Sequence, residues 1–282
     1  MGDILAFLAA PFLACVILVG IHGYLGLHVL RREVIFVDLA LAQIAAFGAV
    51  VAFLFGHRLG TPGAFAFSLG ATVVGAAVFS WTRTHGRVPQ EALIGITYVI
   101  ASAATILVAD QAPEGAEHFQ ELLAGSLIWV TWPVVIKDLV VYSAVGLFHY
   151  LFRHRFILIT EDPREAERRG WSLHWWDFLF YLSFGLVITL SVEIGGVLMV
   201  FTYLVAPAII ALASSASWGR RIAIAWGVGL TGSAIGLIAS YRWDFPTGPA
   251  VVCALGAILL LFALWRKLGR AGDRGAARAG GS

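Results

Sequence analysis

Residues 177–212 read DFLFYLSFGLVITLSVEIGGVLMVFTYLVAPAIIAL, with Asp177 and Glu193 as the only charged side chains. A helix rises 1.5 Å per residue and needs about 20 apolar residues to cross a hydrocarbon core of about 30 Å, so this stretch holds two crossings. They divide at Glu193-Ile194-Gly195-Gly196, which leaves almost no loop and reads as a broken or re-entrant pair. The same apolar runs recur on either side. Spans are expected at 4–30, 34–55, 64–82, 91–109, 134–152, 177–192, 194–212, 222–241 and 248–265. The fold class is therefore an all-α polytopic membrane protein of about nine transmembrane helices.

Composition agrees. Of 282 residues, 60% are hydrophobic and only 13% charged, with mean hydropathy +0.86, whereas soluble domains carry roughly 25% charge. A membrane β-barrel would need strands of about ten residues alternating in and out, and no such period is present. The first run has no Lys or Arg before Arg31 and exceeds a secretory h-region, so it reads as a span. Cys15 and Cys253 lie within apolar runs and give no disulfide or metal-site signal. The net charge of +2 suggests no nucleic-acid role.

An odd number of crossings puts the termini on opposite sides, and Lys and Arg accumulate in cytoplasmic segments. With the N-terminus outside and the C-terminus inside, only Arg58, Lys137 and Arg242 of the 19 Lys and Arg fall outside. Ala42, Ala45 and Ala49 share one face of the second span, and Gly229, Gly232, Gly236 and Ser240 one face of the eighth. Such small-residue faces let helix backbones approach in lipid. Trp129, Trp132, Trp175, Trp218, Trp243 and Trp265 fall near span ends, where an interfacial belt sits. Residues 1–268 thus read as one transmembrane domain, and the Gly-, Ala- and Arg-rich 269–282 as a disordered cytoplasmic tail.

Between the fifth and sixth spans, 160–170 reads TEDPREAERRG. Asp162 suits an N-cap, Pro163 the first helical position, Glu165 a capping box and Gly170 a left-handed C′ residue. Acids precede arginines, matching the helix dipole. A helix over 163–169 is too short to hold in water alone, so something must pack against it. It reads either as a membrane-surface element or as a docking element for a cytosolic partner, presenting Arg164, Ala166 and Arg168.

Ionisable groups within a bilayer cost about 2.5–3.5 kcal/mol on insertion scales, so each needs a reason. Asp38 shares a face with Ala42 and Ala45 and points into the bundle, either lining a path or pairing with a neighbouring helix, Arg31 or Arg32. Gln43 lies mid-span. His22 and His28 on the first span are candidate nitrogen ligands or packing residues. Glu193 and Asp244 at outer span ends attract cations or are simply exposed. Pro207, with Thr202 nearby, either opens the seventh span toward a cavity or kinks it. The acidic outer loop 110–121 suits a docking protein or plain solvation.

Four blocks carry a family resemblance over nearly the whole chain: Val29-Leu30-Arg31-Arg32 through Phe36-Val37-Asp38-Leu39-Ala40-Leu41-Ala42-Gln43 to Gly48; Leu122-Leu123-Ala124-Gly125-Ser126-Leu127-Ile128-Trp129-Val130; Asp162-Pro163 through Ala166 to Gly170; and Gly196-Val197-Leu198 through Ala206-Pro207-Ala208 with Asp244-Phe245-Pro246-Thr247-Gly248-Pro249. In these the chain resembles the permease subunits of bacterial zinc, manganese and iron ABC importers and, more distantly, siderophore and cobalamin permeases. The resemblance implies a homodimeric or pseudo-dimeric permease of the bacterial cytoplasmic (inner) membrane. It implies two cytosolic ATPase subunits as partners, coupled through 163–169, and an external solute-binding protein that delivers a divalent metal ion as cargo.

The chain has no G-x-x-x-x-G-K-[ST] loop, since neither Lys137 nor Lys267 follows a glycine, so it is expected to be no enzyme itself. In the family an acidic residue is followed four positions later by a His on the second span. Here Asp38 to Gln43 is a step of five with no imidazole, and amide oxygen suits harder ions than zinc. The competing readings are an ion-gradient-driven secondary transporter, an ABC permease for an organic metal chelate, and an intramembrane metalloprotease. The last would need a motif such as H-E-x-x-H, which is absent.

Overall fold

The computed structural model describes residues 2–57, 61–85, 88–109 and 127–279, with the side chains of 2–7, 84–85 and 269–279 excepted. Helices α1 (Gly2–Arg31), α2 (Val37–Leu54), α3 (Pro62–His85) and α4 (Gln90–Ala109) come first, and a 3-10 turn, Leu127–Trp129, precedes α5 (Trp132–Leu151). Two short helices follow, α6 (Arg153–Glu161) and α7 (Pro163–Arg168), then α8 (Leu173–Ser214), α9 (Trp218–Trp243) and α10 (Thr247–Ala279). The acidic stretch 110–121, residues 122–126 of the second resemblance block and 280–282 of the tail lie outside the described residues.

Eight helices among the described residues are long and apolar enough to cross a membrane. The sixth and seventh expected spans are joined in α8, whose 42 residues would reach about 63 Å if straight. It is not straight: Gly196 sits at φ 70°, ψ 160°, a conformation essentially confined to glycine.

Contacts along α1 give the direction of each half. Asp177 bonds Arg32, just past the C-terminus of α1, and Phe180 packs on His28, whereas Gly195 lies against Leu18, midway along α1. Leu204 then lies against Gly26, and Ala208 and Ala211 cluster with Leu27. The chain thus descends α1, turns at Gly196 and climbs back. Counted as crossings, the two halves restore nine.

One end of the bundle gathers Arg31, Arg32, Arg83, Glu161, Asp177 and Arg221. Arg266 of α10 joins it by donating to the carbonyl of Ala213. This basic end carries exposed Trp175 and Trp265, and the opposite end exposed Trp129, Trp132 and Trp243, so the indoles form two girdles.

α8 is the hub, packing against α1, α2, α3, α9 and α10. The apolar effect does not hold helices together in lipid, so close backbone approach must. A Cβ on Gly26 would lie 2.0 Å from the Leu204 carbonyl oxygen, and one on Gly236 2.5 Å from the Val251 Cα. Gly229 meets Val19 and Gly232 meets Leu255, so the expected glycine face of α9 is a packing seam. Ala42 and Ala45 are buried with Asp38 on α2, as their shared face requires.

Candidate functional site

The short capped helix forms much as its sequence dictates. Asp162 caps α7 by accepting from the Glu165 amide at 3.0 Å, and Pro163 occupies the first turn. Gly170 is left-handed at φ 75°, and Trp171 donates back to the Ala166 carbonyl at 3.1 Å. One detail differs from the expected reciprocal box: Glu165 turns forward to Arg168 and Arg169, because the Asp162 amide is already spent on Leu158. Ala166 is the buried residue of α7, while Arg164, Glu167, Arg168 and Arg169 are exposed.

What packs against α7 is α6, a helix within the stretch read as a charged loop. Its last two residues tie it to the bundle. Thr160 accepts from Arg32 Nε at 3.0 Å and shares a hydrogen bond with His28 Nδ1 at 2.7 Å. Glu161 pairs with Arg31 and accepts from Arg221 at 3.4 Å. Thr160 and Glu161 immediately precede Asp162, so α7 starts from a point fixed to α1 and α9.

Arg32 also donates to Asp177 at 2.8 Å and lies 4.0 Å over the Phe180 ring, and Arg83 of α3 completes the pair around Asp177. With burial its larger cause, the Arg32 guanidinium is held below its usual pKa, and the Asp177 carboxylate opposes the shift. A second chain runs alongside: Tyr24 reaches His149 Nδ1 at 3.2 Å, and His149 Nε2 reaches Ser183 at 2.8 Å. Sequence reasoning missed His149, Thr160, Glu161 and Asp177. Their partners are remote in the chain, and only Asp177, a charge at the edge of an apolar run, carried a local signal.

The expected path residues are placed as follows. Asp38, Gln43 and His22 are buried, and each keeps an acceptor atom with no hydrogen-bond partner in the chain: Asp38 Oδ1, Gln43 Oε1 and His22 Nε2. His22 Nδ1 lies 2.8 Å from the Leu18 carbonyl, which can only accept, so Nε2 presents its lone pair. Asp38 is not paired with Arg31 or Arg32, whose carboxylate partners are Glu161 and Asp177.

Thr202 is half-buried and donates to Leu198, while Pro207 is buried one residue from Ala208, which meets Gly26. Glu193 is exposed and 3.8 Å from Lys137. Asp244 is exposed and left-handed at the C-cap of α9. Among the described residues no three His, Cys, Asp or Glu side chains converge on a metal position.

A bundle of membrane-long apolar helices with a capped helix riveted to its basic end defines a polytopic membrane protein. The chain belongs to the ABC 3 transport family, whose model matches residues 5–267. It is 23% identical over 249 residues to the manganese transport system membrane protein MntC of Listeria monocytogenes, covering 86% of this chain and 84% of that one. It is 23% identical over 188 residues to a probable iron transport system membrane protein of Haemophilus influenzae, covering 67% and 69%. Among solved structures, PsaBC from Streptococcus pneumoniae in complex with Fab aligns with TM-score 0.75 at 20% identity, covering 91% of this chain and 90% of that one. An inward-facing putative metal-chelate type ABC transporter aligns with TM-score 0.68 at 18% identity, covering 90% and 85%.

Proposed function

We propose that this chain is the membrane-spanning permease subunit of an ATP-binding-cassette importer that carries divalent metal ions into the cytoplasm. It works as a homodimer in the bacterial cytoplasmic membrane, N-terminus outside and basic end inside. An external solute-binding protein delivers the metal and a cytosolic ATPase drives the cycle. Membership of the ABC 3 transport family and relatives named for manganese and iron transport support the class.

The observation that carries the mechanism is the attachment of α7. Its exposed arginines offer a surface to the ATPase, and Thr160 and Glu161 link its first residue to α1 and α9. A push on α7 therefore reaches α1 directly, and through Arg32 and Asp177 it reaches the hub helix α8.

His22, Asp38 and Gln43 hand the ion along. Each has a spare lone pair and none belongs to a chelating cluster, as release of the ion requires. Two of the three offer oxygen, which favours manganese over zinc.

The test is copurification. Arg164→Glu/Arg168→Glu should leave a folded permease in detergent that no longer retains its ATPase. Full retention, or metal uptake by the permease alone in liposomes, would sink the proposal. Uptake by Asp38→Ala cells should fall sharply, and normal uptake would remove Asp38 from the path.

A further inference from the structure

Where α5 passes into α6, Phe152 closes one helix and opens the next, so no loop separates the span ending at Leu151 from Arg153, His154 and Arg155. All three are exposed. The stripe of α5 that leads to them, Ile136, Val140, Leu147 and Leu151, is apolar and exposed at helical spacing, as the lipid-facing side of a span is. The cations therefore stand within about one turn of the hydrocarbon edge, at the depth of the phospholipid headgroups.

Both arginines are held in place by rings, with most of their donors unspent. Arg153 lies 4.4 Å over the Tyr150 ring and donates only from Nη1, to the Tyr150 carbonyl at 3.0 Å. Arg155 lies 4.7 Å over Trp176 and 5.3 Å over Trp171, and it makes no hydrogen bond or ion pair among the described residues. A guanidinium carries five N–H donors in a planar fork, and a ring against its face leaves that N–H edge open to an oxyanion. Other arginines of the same end are differently placed: Arg31, Arg32, Arg83 and Arg221 each meet Glu161 or Asp177. Among the described residues no carboxylate reaches Arg153 or Arg155.

We infer that Arg153 and Arg155 form a surface that binds the headgroups of anionic phospholipids in the leaflet at the basic end, with His154 between them as a further donor. A turn of 100° per residue sets the two arginines on opposite shoulders of the stripe that Phe156, Ile159 and Thr160 bury, so each takes its own phosphate. Lipid fits this surface better than the ATPase does. Exposed Tyr150, Leu151 and Phe152 adjoin the cations, as at a bilayer interface, and α7 starts at the far end of α6, about 13 Å away. Anchored headgroups hold α6 level with the membrane surface, and with it the point from which α7 starts. That consequence, and the naming of the leaflet as cytoplasmic, rest on the proposed importer function; headgroup binding does not.

Native mass spectrometry of the full-length permease, with and without its ATPase, tests the surface by titration with phosphatidylglycerol and, separately, with phosphatidylcholine. The parent should retain the anionic lipid preferentially, and Arg153→Ala/Arg155→Ala should weaken that retention about tenfold while still holding the ATPase. Arg153→Lys/Arg155→Lys should recover part of it. Equal retention of the two lipids by the parent, or an unchanged preference in the Ala pair, would overturn the inference. So would loss of the ATPase with the lipid preference intact, which would assign the surface to the protein partner. If the Ala pair fails to fold, Arg153→Glu at its exposed position decides alone, and a kept preference refutes the surface. A lipid preference in a permease that recruits no ATPase would leave the surface standing and remove only the importer reading.

Discussion

Arg32 and Asp177, 145 residues apart in sequence, meet at 2.8 Å with both side chains fully buried. Their contact fixes the start of α8 to the loop after α1, and Arg83 shares the same carboxylate.

Removing one partner of a buried pair costs about 3–5 kcal/mol, because the other charge is left uncompensated. Asp177→Ala strands two guanidinium groups and should lower the melting temperature of the detergent-purified permease markedly. Asp177→Asn keeps an acceptor for Arg32 and should lose less. Equal melting of the parent and Asp177→Ala would show the pair to be dispensable.

A methyl group on Gly26 would collide with the Leu204 carbonyl, whereas one on Gly20 meets nothing within 4 Å. Overpacking against backbone costs about 1–3 kcal/mol. Gly26→Ala should therefore reduce the yield of monodisperse protein, and Gly20→Ala should not. Size-exclusion profiles of the two variants check this, and matching profiles would contradict the close α1–α8 approach.

Gly196 holds a backbone conformation that costs any other residue about 1–3 kcal/mol. Gly196→Ala should be destabilised by that order, and doubly so with Gly26→Ala, since both loosen the return half of α8. Thermal unfolding of single and double variants in one detergent measures it. An Ala variant as stable as the parent would mean the turn tolerates a side chain.

Much of this was legible one residue at a time. The apolar runs gave the crossings because lipid leaves a helix no alternative, and Glu193-Ile194-Gly195-Gly196 marked the place where two runs share no loop. Asp162, Pro163 and Gly170 announced α7 because caps are local chemistry. The capping box half-failed, since Glu165 had nearer arginines and the Asp162 amide another acceptor. Helix α6 went unread: its charges masked the residues Phe156 and Ile159 that bury it. Asp38 was weighed as a partner for Arg31 or Arg32, yet Glu161 and Asp177 take them. Pairings across more than a hundred residues depend on how helices are arranged, which no local pattern encodes.

The tight reversal within α8 also sets what the hub tolerates in length. With no polar connector between its two crossings, one residue added beside Gly196 would turn the return half about its own axis by about 100° on a helix of 3.6 residues per turn. Leu204 would then no longer face Gly26, nor Ala211 Leu27, so a loop that could absorb an insertion is what this hub lacks.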